Sequence, residues 1–215
     1  MIKEAASWFL DGVFLNYNSS YLEQMLEQLL DEDDSLEITR FLRAVDVRID
    51  GFRVEKAPEW RGQRVFVKHE VDCKGYELRL SEESAGTQKL MGLASFLLAA
   101  LERGGTVVVD ELDAKLHPKL LRYVILLFKD PEVNKSGAQL IFSSQDVSTM
   151  RNDVFRRDEI WFAARGEGEA SQLWSLADIH EANGNLVSKN AAFDKQYLSG
   201  RYGADPYLTR IEEWD

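Results

Sequence analysis

Two adjacent carboxylates, Asp110 and Glu111, directly follow Thr106-Val107-Val108-Val109. A run of β-formers ending abruptly in acids is the pattern of a buried parallel strand that delivers charge to its C-terminal edge. An acid placed there can help hold Mg²⁺, often through the cation's water shell, and a following glutamate can polarise an attacking water. Both groups must leave the same strand end, because the metal and the water sit side by side. Successive strand side chains point to opposite faces, yet pairing loosens at a strand terminus and lets both reach one site. A solvated strand end explains the same two residues, so their neighbours decide the reading.

Upstream lies Ser84-Ala85-Gly86-Thr87-Gln88, a small-residue turn opening a long apolar helix. It places the hydroxyls of Ser84 and Thr87 and a bare backbone at Gly86 on a helix N-terminus, where unpaired N–H groups and the dipole favour anions. An ordinary helix cap by Ser84 would use the same residues. Downstream of the acid pair, Asp113-Ala114-Lys115-Leu116-His117-Pro118 forms a loop and the start of the next helix. Asp113 serves either a functional loop or the cap of a short turn. A second strand, Gln139 to Phe142, ends in Ser143-Ser144-Gln145-Asp146. Gln145 can donate a hydrogen bond there but carries no charge and shuttles no proton.

Three segments position these residues. Residues 1–46 read mostly as helix, with Tyr21, Leu22, Met25, Leu26, Leu29 and Leu30 at helical spacing. The acidic run Asp31 to Asp34 reads as a solvated loop, and Ile38, Phe41, Leu42 and Val45 mark a second helix. Residues 47–80 alternate apolar and polar, which predicts an antiparallel meander with one wet face. Pro58, Trp60 and Gly62 mark a loop, and Cys73-Lys74-Gly75 a hairpin turn. Residues 81–215 read as one α/β lobe. A helix from about Gly86 to Glu102 stops at Gly104-Gly105, and the Val strand, a helix from Pro118 to about Lys129, and the Gln139 strand follow. A hairpin is expected around Arg165 to Gly168, then a tail with one helical stretch and Tyr197, Tyr202, Tyr207 and Trp214.

A hydrophobic share of 45% is enough to bury a core, and a net charge of −11 argues against whole-surface attraction to nucleic acid or anionic lipid. The single cysteine, Cys73, permits no internal disulfide, which fits a reducing interior. His69, His117 and His180 are scattered and give no metal-ligand spacing. The longest apolar run, Leu90 to Leu101, is too short for a membrane span. With no signal peptide evident, the expected location is cytoplasmic.

The order of these motifs resembles the second half of an ABC-type ATPase head, of the ATP-binding proteins related to SMC heads that include ATPases of bacterial anti-phage and abortive-infection systems. The likeness covers roughly Leu36 to Leu208 and is most specific in ESAGTQKL, VVVDELDAKLHP, QLIFSSQD, FRRDEIWF and YLSGRYGADPYL. It implies a partial P-loop NTPase fold of class α/β, with parallel core strands, an N-terminal helical segment and an antiparallel β meander. In such proteins two heads sandwich two ATP molecules. Asp110 would then support Mg²⁺ and Glu111 the attacking water, as Walker B, while Ser84, Gly86 and Thr87 of the signature would contact the γ-phosphate held by a partner head. Asp113 would belong to the loop lining the dimer interface. Gln145 stands where such heads usually carry a histidine, and Ala85 where they carry a glycine.

The Walker A loop needs Gly-x-x-x-x-Gly-Lys followed by Ser or Thr, and no glycine in this sequence precedes a lysine. The resemblance therefore implies ATP and Mg²⁺ only with a phosphate loop supplied elsewhere. The Val107 to Val109 strand would have a bare edge, to be covered by a second polypeptide, self-association or a rearranged fold. Expected partners are a second copy or a complementary ATPase half, and an effector protein; nucleic acid and membrane are not indicated. The competing reading is a regulatory module that keeps the fold without turnover. A metal-dependent nuclease built on Asp110, Glu111 and Asp113 lacks an upstream acid at convincing spacing.

Overall fold

In chain order the elements are strand Val13–Asn16 (β1), helix Glu32–Ala44 (α1), and strands Gly51–Lys56 (β2), Gln63–Val71 (β3) and Lys74–Arg79 (β4). Helix Ala85–Arg103 (α2), strand Thr106–Val109 (β5), helix Pro118–Lys129 (α3) and strand Gln139–Phe142 (β6) follow. Strands Trp161–Arg165 (β7) and Ser171–Ser175 (β8) and helix Phe193–Leu198 (α4) complete the order. The computed structural model describes residues 13–16, 32–45, 47–56, 63–165, 170–181 and 184–204. They fall into two compact units, residues 1–145 and residues 146–215. The segment 81–215 thus runs through both.

In the first unit β5 is the middle strand of a parallel sheet ordered β1-β5-β6. The register pairs Val109 with Asn16 on one side and with Phe142 on the other. The flank of β5 expected to be bare is therefore covered by the chain's own residues 13–16. This corrects two expectations at once: part of residues 1–46 is strand rather than helix, and β5 needs no second polypeptide beside it. The described sheet has two edge strands, β1 and β6, and on β6 Ile141 is 57% exposed.

The Val run is buried at Thr106, Val107 and Val109, as a strand covered on both faces requires. Helix α2 supplies most of the covering, burying Leu90, Met91, Leu93, Ala94 and Leu97. It packs on β5 and on α1, whose Ile38 and Leu42 are buried, while α3 packs on β6. Gly104 ends α2 at φ +75° with its N–H bonded to the Ala100 carbonyl. A Cβ there would meet the Ser136 carbonyl oxygen at 2.7 Å, so both the backbone angle and the space demand glycine.

The antiparallel meander forms as the alternation implies, in the order β2-β3-β4. Its second turn lies one residue earlier than expected. Pairing of Val71 with Lys74 leaves a two-residue loop, and Asp72 and Cys73 take φ +51° and +60° to close it, so Gly75 enters the strand. The acidic run is also corrected. Residues 32–34 are the start of α1 rather than a loop. The helix expected over Tyr21 to Leu30, the loop at Pro58, Trp60 and Gly62, the turn at 166–169, and Tyr207 and Trp214 lie outside the described residues.

In the second unit the expected hairpin is β7 paired with β8. Phe162 on β7 stacks on Tyr197 at 5.7 Å and tilts against Tyr202 at 5.3 Å. Burial, with the charge of Glu181 adding to it, pushes the Tyr202 phenol up to about 12. It therefore stays protonated and donates to Gln196 Oε1 at 2.6 Å.

Candidate functional site

The parallel register sets the site. Because Val109 pairs with Phe142, the next residues along each strand, Asp110 and Ser143, emerge side by side. The Ser143 hydroxyl donates to the Asp110 carboxylate and accepts the Glu111 N–H at 2.7 Å. The Leu112 N–H adds a bond to the Ser143 carbonyl at 3.0 Å. Ser143 thus locks the two strand ends together, and the register alone points to it.

Glu111 sits at φ +49°, a left-handed conformation that L side chains rarely adopt. Its backbone is held from three directions: the N–H by Ser143, and the carbonyl by the Ala114 N–H at 3.0 Å and by Lys89 Nζ at 2.5 Å. The carboxylate itself remains exposed, as does that of Asp110. Strain retained in a backbone clamped this firmly is characteristic of functional positions.

The turn before α2 lies at the same end of the sheet. Ser84 caps the helix, its Oγ accepting the Thr87 N–H at 3.1 Å and sharing a 2.8 Å bond with the Thr87 hydroxyl. The N–H groups of Ala85 and Gly86 fall in the first turn, which has no intrahelical acceptors. A Cβ on Gly86 would lie 2.8 Å from the Lys115 carbonyl oxygen, so only glycine lets the turn approach the 110–117 loop this closely. Asp113 is half-buried and accepts the Gln145 backbone N–H at 3.3 Å, while the Gln145 side chain is exposed. His117 caps α3, with Nδ1 accepting the Lys119 N–H at 3.1 Å.

Lys89 is the site residue that the motifs did not reveal. It is the one cation in the first four turns of an otherwise apolar helix, and that isolation was the available signal. Burial lowers its pKa, against the opposing charges of Asp113, Glu111 and Asp110. It is a cation amid three acids, with Lys115 also nearby, and it is the strut between the Ser84 turn and Glu111. Lys89→Met keeps the apolar stem and removes the ammonium, taking away that strut and part of the charge that offsets the acids. The variant is expected to lose about 1.5–3 kcal/mol in urea unfolding and to speed amide exchange at 111–116.

Among the described residues no three His, Cys, Asp or Glu side chains converge to hold a metal ion. One carboxylate backed by a hydroxyl instead suits Mg²⁺, which keeps several waters and is typically held by one or two carboxylates plus substrate phosphates. No helix among them is long and apolar enough to cross a membrane.

Comparison with solved structures finds an SMC ATPase from work on ATP-driven dimerization and DNA-stimulated activation, at 15% identity and TM-score 0.48. The match covers 74% of this chain and 89% of that one. An SmcHead bound to the C-winged helix domain of ScpA matches at 15% identity and TM-score 0.41, over 71% of this chain and 43% of that one. None of the curated protein sequences matches. The family described as "AAA domain, putative AbiEii toxin, Type IV TA system" matches residues 3–151, which include the Ser84 turn, both acids and Ser143. The chain belongs to that AAA-domain family.

Proposed function

We propose that this chain contributes the signature turn and the acid pair to a composite ATP site whose phosphate loop comes from another polypeptide segment. The observation that carries the reading is the Lys89 bond to Glu111, which joins the Ser84 turn to the acid pair at one end of the parallel sheet. The exposed outer strand β6 gives a phosphate-loop strand a place to add in register, beside Ser143.

In this site Asp110, oriented by Ser143, would help hold Mg²⁺, and Glu111 would accept a hydrogen bond from the attacking water. Mg²⁺, when bound, offsets the charge of the transferring phosphoryl group. The turn at Ser84 and Gly86 offers a hydroxyl and free N–H groups to the γ-phosphate of a nucleotide seated on a partner. Gln145 places a neutral donor where a proton-shuttling group would speed the reaction, which favours slow turnover.

The test is complementation. The chain alone is expected to release no measurable phosphate from ATP. Mixed with a protein of the same family carrying the Gly-x-x-x-x-Gly-Lys loop, it should do so at a rate that saturates with either component. An unchanged rate on mixing would favour the regulatory-module reading.

A further inference from the structure

The segment leading into the signature turn is tied to the meander by the Arg79 N–H, which donates to Glu82 Oε2 at 2.8 Å, and by a histidine. On β3, His69 Nε2 lies 2.5 Å from Glu83 Oε1 and Nδ1 lies 2.9 Å from the Arg48 carbonyl oxygen. Glu83 immediately precedes Ser84, and its side chain is only 9% exposed. Its backbone is held as well: the N–H donates to the Leu80 carbonyl at 3.1 Å, and the carbonyl accepts Gln88 Nε2 at 2.8 Å.

A carbonyl oxygen has no proton to give, and neither has a carboxylate. A neutral imidazole carries one N–H and can satisfy one of the two partners; an imidazolium carries two and satisfies both. We infer that His69 is an imidazolium serving as a proton-dependent clamp, which positions the Glu83–Gln88 segment only while both ring nitrogens are protonated.

The surroundings agree with this charge state. Glu83 faces the ring from the turn before α2, and Asp50 and the Arg48 carbonyl face it from the segment before β2. Tyr76 is its cross-strand partner on β4, and Lys68 and Glu70 flank it on β3. Burial of the ring opposes the charge, but Glu83, the Arg48 carbonyl and Asp50 outweigh it, so the pKa rises above 6.5. A raised folded pKa means that the clamp's stabilisation is complete below the unfolded value and disappears as pH climbs through the folded one. A rise in pH through the folded pKa should therefore free the Ser84 turn. The clamp rests on the nucleotide-site reading only for its consequence, since the proton and the backbone can be followed with no nucleotide present.

The experiment is a pH titration of the full chain by ¹⁵N NMR of the histidine rings, paired with amide exchange at residues 84–88. Exchange is normalised to β5 amides, which removes the intrinsic pH dependence. Wild type should show His69 titrating above 6.5, with both ring nitrogens protonated at pH values below that transition. Normalised exchange at 84–88 should rise at least about threefold as the ring titrates, and Glu83→Gln should bring His69 down toward 6.5. His69→Gln should show the fast exchange at every pH. If that variant does not fold, Glu83→Gln decides alone, because it leaves the ring in place. A His69 that titrates at or below 6.5, or exchange at 84–88 that ignores both pH and Glu83→Gln, would overturn the clamp. Loss of complementation with the clamp intact would instead count against the nucleotide site.

Discussion

Glu111→Gln is expected to lower turnover of the complemented site by about a hundredfold or more while ATP still binds. The substitution separates chemistry from scaffold cleanly. Every bond that holds residue 111 is made by its backbone, to Ser143, Lys89 and Ala114. Glutamine has the same shape as glutamate and the same cost at φ +49°, so the loop and the Lys89 strut should stay in place. What disappears is the negative charge that draws a proton from the attacking water. The paired measurements are steady-state phosphate release and nucleotide affinity by calorimetry. Turnover within about threefold of wild type would move the water to another group and withdraw the role from Glu111. Asp110→Asn is a less clean probe, because it also weakens the bond that ties β5 to β6 through Ser143.

Much of this site was legible in the sequence, for a physical reason. The candidate residues sit where regular elements end, and ends carry strong local signals: Val107 to Val109 giving way to acids, Ser84 opening a helix, Pro118 starting one. The elements α2, β5, α3 and β6 accordingly appear where the pattern puts them. What escaped depends on contacts distant in sequence. Strand Val13–Asn16 has only four residues, and its pairing with β5 bridges some ninety positions. No local periodicity can report such a partner. Lys89 carries no role that local pattern reports, because its partner is the Glu111 carbonyl, 22 positions away. His69 has no metal-ligand spacing, and its partners Glu83 and Arg48 come together only when the meander closes. The turn at Asp72 and Cys73 was displaced from Gly75 because strand register, set over the whole of β3 and β4, overrode a one-residue preference for glycine.

Phe193→Ala is expected to be the most damaging substitution in the second unit, at a cost of about 3–5 kcal/mol. Phe193 is 0% exposed and packs in a cluster with Ile160, Phe162, Leu176, Val187 and Tyr202. It is also the first residue of α4, a helix of six residues with no side-chain cap at Ala192. A helix that short is not stable through its own hydrogen bonds, so its position depends on the apolar anchor. The Tyr197 that stacks on Phe162 and the Gln196 that accepts from Tyr202 both stand on α4. Removing the Phe193 ring therefore leaves a cavity and also loosens the residues that close the aromatic cluster. A unit of this size has a total stability on the order of 5 kcal/mol, so the loss is enough to populate its unfolded form. Trp174, whose indole N–H donates to the Tyr202 carbonyl at 3.2 Å, lies next to that cluster and contributes to the fluorescence signal. Urea titration should show Trp174 unfolding early, while exchange protection of β5 in the first unit persists to higher urea. Phe193→Leu should recover more than half of the loss, because it restores most of the buried volume. A Phe193→Ala midpoint shift worth less than about 1 kcal/mol would mean that the cluster does not hold the unit together.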